Sequence, residues 1–288
     1  MPTALCRLCV SHPAIANSHV EPAFVFRAIK SDSPTGFFRN PNDPNRRVQD
    51  GDKFSLLCKE CEQRFCNAEA QFATNIFWPF HKTDEDHFTY GPWLHYFITS
   101  LAWRTLILDL AGLQSDEANP QASVAELEGA AETMRKYLLG ANDLALSLRN
   151  HAIAWTEGHT GSAQLAQAGP NVAIRRSAFG FTVLDRGNGY SGILHNLAGF
   201  MCFLVVKENP LDEWSGTEVN PLGGKISQPQ RVSSWLMGEL LGCIAESPPK
   251  LRAMSEAQRE KIGKAMRKNP TAPALRFREM DKRFGVSE

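Results

Sequence analysis

The chain has no excess of charge of either sign. Lysine plus arginine equals aspartate plus glutamate at 31 each, so bulk charge gives no argument for a nucleic-acid or membrane partner, and local clusters must carry any such claim. It also lacks an uninterrupted apolar run that would cross about 30 Å of hydrocarbon. Of the two most apolar stretches, residues 94–113 contain His95, Arg104 and Asp109, and residues 193–206 are too short. Both read as buried elements, and no membrane partner is expected. The opening Met1-Pro2-Thr3-Ala4-Leu5 has neither the basic start nor the apolar run of a secretory signal, which makes a cytoplasmic location the expectation. Cysteine is sparse, odd in number at seven, and unevenly spread in a chain long enough to fold without staples. That argues against a disulfide framework and for a reducing compartment. There is no internal repeat, nucleophile elbow, phosphate loop or dinucleotide fingerprint.

With 43% hydrophobic and 22% charged residues, the chain has the composition of a globular protein that buries a sizeable core. Its 288 residues fit a small module joined to a larger one. Five of the seven cysteines lie before residue 80, together with many aromatics and the loop-like Asn40-Pro41-Asn42-Asp43-Pro44-Asn45. A polar stretch over residues 83–87 and Gly91-Pro92 then mark a boundary, giving an N-terminal module over 1–82 and a second domain over 92–288.

In the second part Leu94, Phe97, Ile98, Leu101 and Leu108 predict an enclosed helix. Ser123 with Glu126 reads as a capping box opening the next helix, and Asn142 as the cap of another running through Leu148 toward Trp155. Residues 157–170 read as a loop, residues 179–189 as a hairpin, and residues 193–206 as one buried strand. Leu236, Leu240 and Ile244 mark a further helix, and Ser255 with Gln258 caps the last clear one, which ends before Asn269-Pro270. The expected class is α+β: a small zinc-bound ββα module followed by a mainly helical domain with a small β-sheet.

The most specific signal is a pair of Cys-x-x-Cys motifs, Cys6/Cys9 and Cys58/Cys61. Each closes a knuckle that aims two thiolates at one point, and two knuckles complete a tetrahedral four-sulfur shell for structural zinc. Forty-eight residues separate Cys9 from Cys58, so a whole substructure lies between the knuckles. Cys66 is a competing ligand, while Cys202 and Cys243 sit in apolar segments and are expected in the core.

The string Cys6-Arg7-Leu8-Cys9, then Asn17-Ser18-His19-Val20-Glu21-Pro22, then Leu56-Leu57-Cys58-Lys59-Glu60-Cys61 resembles the zinc-stapled, bacterial-type branch of the HNH (ββα-metal) endonucleases over residues 5–75. This resemblance implies metal-dependent hydrolysis of phosphodiesters in DNA or RNA. By position it makes His19 the general base, a role that suits imidazole because its ordinary pKa lies near neutrality. It puts Glu62 where the family has an Asn or His metal ligand, a replacement whose carboxylate would bind a catalytic Mg2+ or Mn2+. Two positions depart from the family pattern: Ser18 stands where the family has a metal-binding Asp or His, and Lys53 where it has Asn. The other reading is therefore a zinc module without catalysis that binds nucleic acid or a protein partner. Asp50, Asp52 and Glu69 are the acids near enough in sequence to rebuild a metal site, or else lie on a solvated surface.

Residues 250–288 hold eleven Lys/Arg against five Asp/Glu, a net +6 in a neutral chain. They form either a phosphate-binding surface or a solvated helical face. Arg39, Arg46 and Arg47 would suit backbone phosphates in the same way. His81, His87 and His95 match no compact metal motif and read as polar linker, and the aromatics Phe72, Phe77, Trp78 and Phe80 read as packing.

Overall fold

The structure, a computed structural model, describes residues 4–15, 18–40, 43–48, 50–156, 169–187, 189–252, 254–269 and 276–283. The chain runs through β1 (Ser18–His19), α1 (Ala23–Asp32), β2 (Phe38–Asn40), β3 (Asp43–Val48), β4 (Lys53–Phe54) and α2 (Lys59–Phe72). A π-helical turn, Ala73–Phe77, carries α2 into α3 (Trp78–Thr83). Next come β5 (Phe88–Tyr90), α4 (Pro92–Ser115), α5 (Gln121–Leu138), a 3-10 turn (Asn142–Ser147) and β6 (Arg149–Ala154). The remaining elements are α6 (Pro170–Arg175), β7 (Ala178–Leu184), β8 (Ser191–Leu197), β9 (Phe200–Lys207), β10 (Glu213–Ser215), β11 (Gly224–Ile226), β12 (Arg231–Ser233), α7 (Trp235–Arg252), α8 (Glu256–Lys268) and α9 (Arg276–Arg283). The class is α+β.

The centre is an antiparallel sheet in the order β6-β9-β8-β7. Every residue of β8 is buried, because both faces of the sheet are covered. Ile193 and Leu204 point into an apolar cluster with Trp103 and Leu106 of α4, Leu127 and Met134 of α5, and the four knuckle cysteines. Their neighbours Leu194 and Phe203 face the other way, against Leu236, Leu240 and Ile244 of α7. Each such side chain contributes about 1.5–3 kcal/mol on full burial. A strand buried on both faces shows no apolar-polar alternation, which is why residues 193–206 read as a single strand. They are in fact two strands joined at Ala198-Gly199, both with positive φ (54° and 98°), as a tight hairpin turn requires.

Other expectations are corrected in the same way. α5 opens at Pro120, so Ser123 lies one turn inside the helix and is buried rather than capping it. A proline, lacking an N–H, starts a helix where no donor is needed. Beyond Asn142 the helix gives way to the 3-10 turn and β6, whose pairing with β9 overrides the local preference. Asn40, Asp43 and Asn45 belong to the β2–β3 hairpin rather than to a loop. The loop expected over 157–170 lies outside the described residues up to 168, and Pro170 begins α6. Cys202 is core as expected, but Cys243 on α7 is exposed.

α4 is about 36 Å long at 1.5 Å per residue, and by length and composition it alone among the described helices would cross a membrane. Here 61% of its apolar window is buried inside the protein, and its polar side chains are matched to partners. His95 contacts the Tyr137 hydroxyl and the Leu148 carbonyl, Thr99 meets Asn150, and Thr105 meets His195. His95 is thus a core histidine and His81 is buried beside Asp32, so only His87 has the exposure of a linker residue. Phe72, Phe77 and Phe80 pack with Phe97 of α4 and Phe200 of β9, with Trp78 at the edge.

Candidate metal centre and the His19 site

The first knuckle is held by short backbone bonds. Cys6 N–H donates to the His12 carbonyl at 2.8 Å, Val10 N–H to the Cys6 carbonyl at 2.9 Å, and Arg7 N–H to the Leu56 carbonyl at 2.8 Å. Closing it places Val10 at φ 59°, a conformation a β-branched residue rarely adopts. The second knuckle opens α2, with Cys58 at its N-cap and Cys61 in its first turn. There the N-terminal end of the helix dipole favours negative charge. Arg135 of α5 donates to the Leu8 carbonyl at 3.0 Å and ties the first knuckle to the helical layer.

These elements bring the sulfurs of Cys6, Cys9, Cys58 and Cys61 within 4.8 Å of one another. Cys9 Sγ and Cys58 Sγ are 3.8 Å apart, the edge of a tetrahedron with a centre about 2.3 Å from each corner, which is the zinc–thiolate distance. Burial pushes the Cys58 and Cys61 thiols up. Cys9 is held at about 6, against its own burial, by the Ser11 amide and His12. A coordinated divalent ion removes the protons that burial would retain. The donor set fits structural zinc. His12 stands behind Cys9 at 3.8 Å and 3.7 Å from Glu60, an outer partner of the cluster. Cys66 is exposed and outside the group.

Next to this centre, β1 pairs with β4 so that Ser18 opposes Phe54 and His19 opposes Lys53. These two short strands form one small antiparallel unit, and α2 follows β4 in the chain, starting at the second knuckle. His19 Nε2 lies 3.2 Å from Asp50 Oδ2, and Lys53 Nζ donates to the same oxygen at 2.9 Å. Burial works against the Asp50 charge. Hydrogen bonds from Lys53, His19 and the Gly51 amide nevertheless hold its carboxyl down to about 2. Asp50 is therefore an ionised acceptor near neutral pH, and His19 must donate through Nε2, which leaves the lone pair of the neutral ring on Nδ1. The imidazole is 22% exposed, enough for water to reach it.

Glu62, one position past Cys61, hydrogen-bonds Ser18, whose hydroxyl also accepts the Leu57 amide at 3.3 Å. Its Oε2 is buried without a hydrogen-bond partner among the described residues. Burial pushes this carboxyl up, while Arg104 and the Ser18 hydroxyl pull it partly back. The fully buried Arg104 clamps the unit. Its Nε donates to the Ser100 carbonyl at 3.1 Å, one terminal nitrogen to the His19 carbonyl at 2.9 Å, and the other to Glu69 at 2.9 Å. A buried guanidinium needs such pairing. His19, Asp50 and Glu62 do not come within mutual ligand distance: among the described residues the metal-ligating groups within 4.8 Å are the four cysteines and His12/Cys58/Glu60.

Of the three acids named from sequence, Asp50 reaches His19, Glu69 pairs with Arg104, and Asp52 is exposed. Arg104 itself was missed as part of the site, although a charge in the middle of an apolar helical stripe signals a buried partner. Glu21, 3.7 Å from the buried His195, carried no comparable signal.

Compared with known proteins, the chain matches no family model, and neither a curated protein nor a solved structure is similar to it.

Proposed function

We propose that the chain is a metal-dependent endonuclease of HNH type that hydrolyses nucleic-acid phosphodiesters, with zinc on Cys6, Cys9, Cys58 and Cys61 fixing the β-β-α unit. The observation that carries this reading is the orphaned, buried Oε2 of Glu62 beside β1, on which His19 is held by an ionised Asp50. An unpartnered buried carboxylate oxygen fits an oxygen-preferring cation such as Mg2+ or Mn2+. When bound, the cation would supply charge stabilisation at the scissile phosphate. His19 accepts a proton at Nδ1 from the attacking water, whose oxygen bonds to phosphorus as the bond to the leaving sugar oxygen breaks. Asp50 and Lys53 orient the ring, and Arg104 fixes the strand beneath it.

The second reading is a zinc module without catalysis that binds nucleic acid or protein. It is favoured by one observation: Ser18 is buried with its hydroxyl committed to Leu57 and Glu62, so the position before His19 offers no carboxylate or imidazole ligand. Cleavage of plasmid DNA and structured RNA with Mg2+ or Mn2+ separates the two. The nuclease reading expects His19→Ala to lower the rate on the order of 10² to 10⁴ with zinc content unchanged, Glu62→Gln to act likewise, and Ser18→Asp to strengthen metal dependence. Wild-type protein that cuts neither substrate with either cation leaves the binding module.

A further inference from the structure

The basic tail and Arg47 of the β2–β3 hairpin, about 200 residues apart in sequence, meet in one cleft. α8 lies against the hairpin and is pinned near both ends. Ser255 N–H donates to Asn45 Oδ1 at 2.9 Å, and Asn269 Nδ2 to the Pro34 carbonyl at 3.1 Å. Between these pins is a cavity of about 270 Å³ lined by Arg47, Lys261 and Lys268, with Phe37 and Ile262 as apolar wall. None of its described lining residues is acidic. All three cations are exposed, and no carboxylate pairs with any of them among the described ion pairs. Arg47 is braced over the Phe37 ring at 4.6 Å. The neighbouring Lys264, by contrast, is paired with Glu260 at 2.8 Å and does not line this cavity.

Three cations without an ion-pair partner gathered around one hollow repel one another, and an anion seated between them would relieve that repulsion. α8 buries no side chain, so apolar packing does not account for where it sits. One lining residue is also close in sequence to the candidate site. Arg47 is three residues from Asp50, which an extended chain spans in about 10 Å, and Asp50 touches His19. A phosphate held at Arg47 would therefore lie within a few residues' reach of the strand that carries Asp50.

We propose that the cleft between α8 and the β2–β3 hairpin binds backbone phosphates of the nucleic acid, with Arg47, Lys261 and Lys268 as the contacting residues. This deepens the nuclease reading and rests on it for the identity of the polyanion. Contacts of this kind set register and affinity rather than sequence preference.

The test is fluorescence anisotropy of the full chain in EDTA, with labelled 20-mer duplex DNA, single-stranded DNA and RNA, titrated in salt. Each phosphate contact contributes a slope of about 0.9 in log K against log salt on duplex and about 0.7 on single strands. The triple variant Arg47→Gln/Lys261→Gln/Lys268→Gln is expected to flatten the duplex slope by about 2 to 3, with unchanged circular dichroism and melting temperature. Lys264→Gln should leave the slope as in wild type. Equal slopes for wild type and triple variant overturn the proposal, as does a wild-type protein that binds polyglutamate but no nucleic acid at 50 mM salt. Cleavage is scored separately in Mg2+ or Mn2+. Retained salt-dependent binding without cutting sinks the nuclease reading and leaves the cleft standing, whereas cutting with equal slopes does the reverse.

Discussion

Replacing Cys61 with serine removes one corner of the sulfur tetrahedron without changing the shape of the knuckle. The free energy of a structural zinc ion held by four ligands is about 10–16 kcal/mol, so equal sharing assigns roughly 3 kcal/mol to each thiolate. In this fold the loss does not stay local, because Cys6, Cys58 and Cys61 lie in the same apolar cluster as Trp103 of α4, Met134 of α5 and Leu204 of β9. Domains of this size lose about 2–4 °C in melting temperature per kcal/mol. Cys61→Ser is therefore expected to melt on the order of 6 to 12 °C below wild type, with zinc falling from one per chain to well under one. Cys66→Ser, at an exposed position outside the cluster, should stay within about 0.5 kcal/mol of wild type. The assay is differential scanning calorimetry with and without chelator, beside elemental analysis of the same samples. Wild-type protein without zinc, or a Cys61→Ser variant as stable as Cys66→Ser, would falsify the metal-centre reasoning.

His151 gives a pH prediction. It is buried, stacked on Trp214 and bonded to the Thr217 hydroxyl, and burial, aided by Arg149, pushes its pKa down to about 4. The folded pKa lies below the unfolded value of about 6.5, so this contribution is complete above pH 6.5 and is lost as pH falls toward 4, about 3 kcal/mol in all. Urea unfolding at pH 7.5 and 4.5 should show a smaller difference for His151→Phe than for wild type, and equal differences would refute the assignment. At the other end of the chain, Asp281 of α9 accepts the Asn171 amide at 2.8 Å and the Val172 amide at 3.1 Å, capping α6 from outside it. Asp281→Ala should cost about 0.5–2 kcal/mol and speed proteolysis after Arg276 and Arg278. An unchanged cleavage pattern and stability would show that α9 is held by other contacts.

Features set by local stereochemistry were legible in the sequence. The two Cys-x-x-Cys knuckles were readable because two intervening residues suffice to turn both thiols to one side. The α4 helix, the hairpin between β7 and β8, and the last clear helix α8 follow from patterns within a window of a few turns. The hairpin of β8 and β9 was not legible, since burial on both faces erased the alternation that marks a strand and no Asn-Gly marked its turn.

The candidate site divides along the same line. His19 and Glu62 could be named only through the resemblance to the HNH endonucleases, and what they touch could not be named at all. Asp50 reaches His19 because β1 pairs with β4 in a register that places Lys53 across from it, and Arg104 reaches the His19 carbonyl and Glu69 only because α4 crosses α2 at that point. Arg47 and Lys261 share a cleft through contacts between segments about 200 residues apart. The sequence by itself determined which residues have the chemistry to hold zinc, move a proton or meet a phosphate. Which of them face one another was decided by the tertiary structure, because pairing over such separations depends on the packing of the whole core and leaves no periodic trace along the chain.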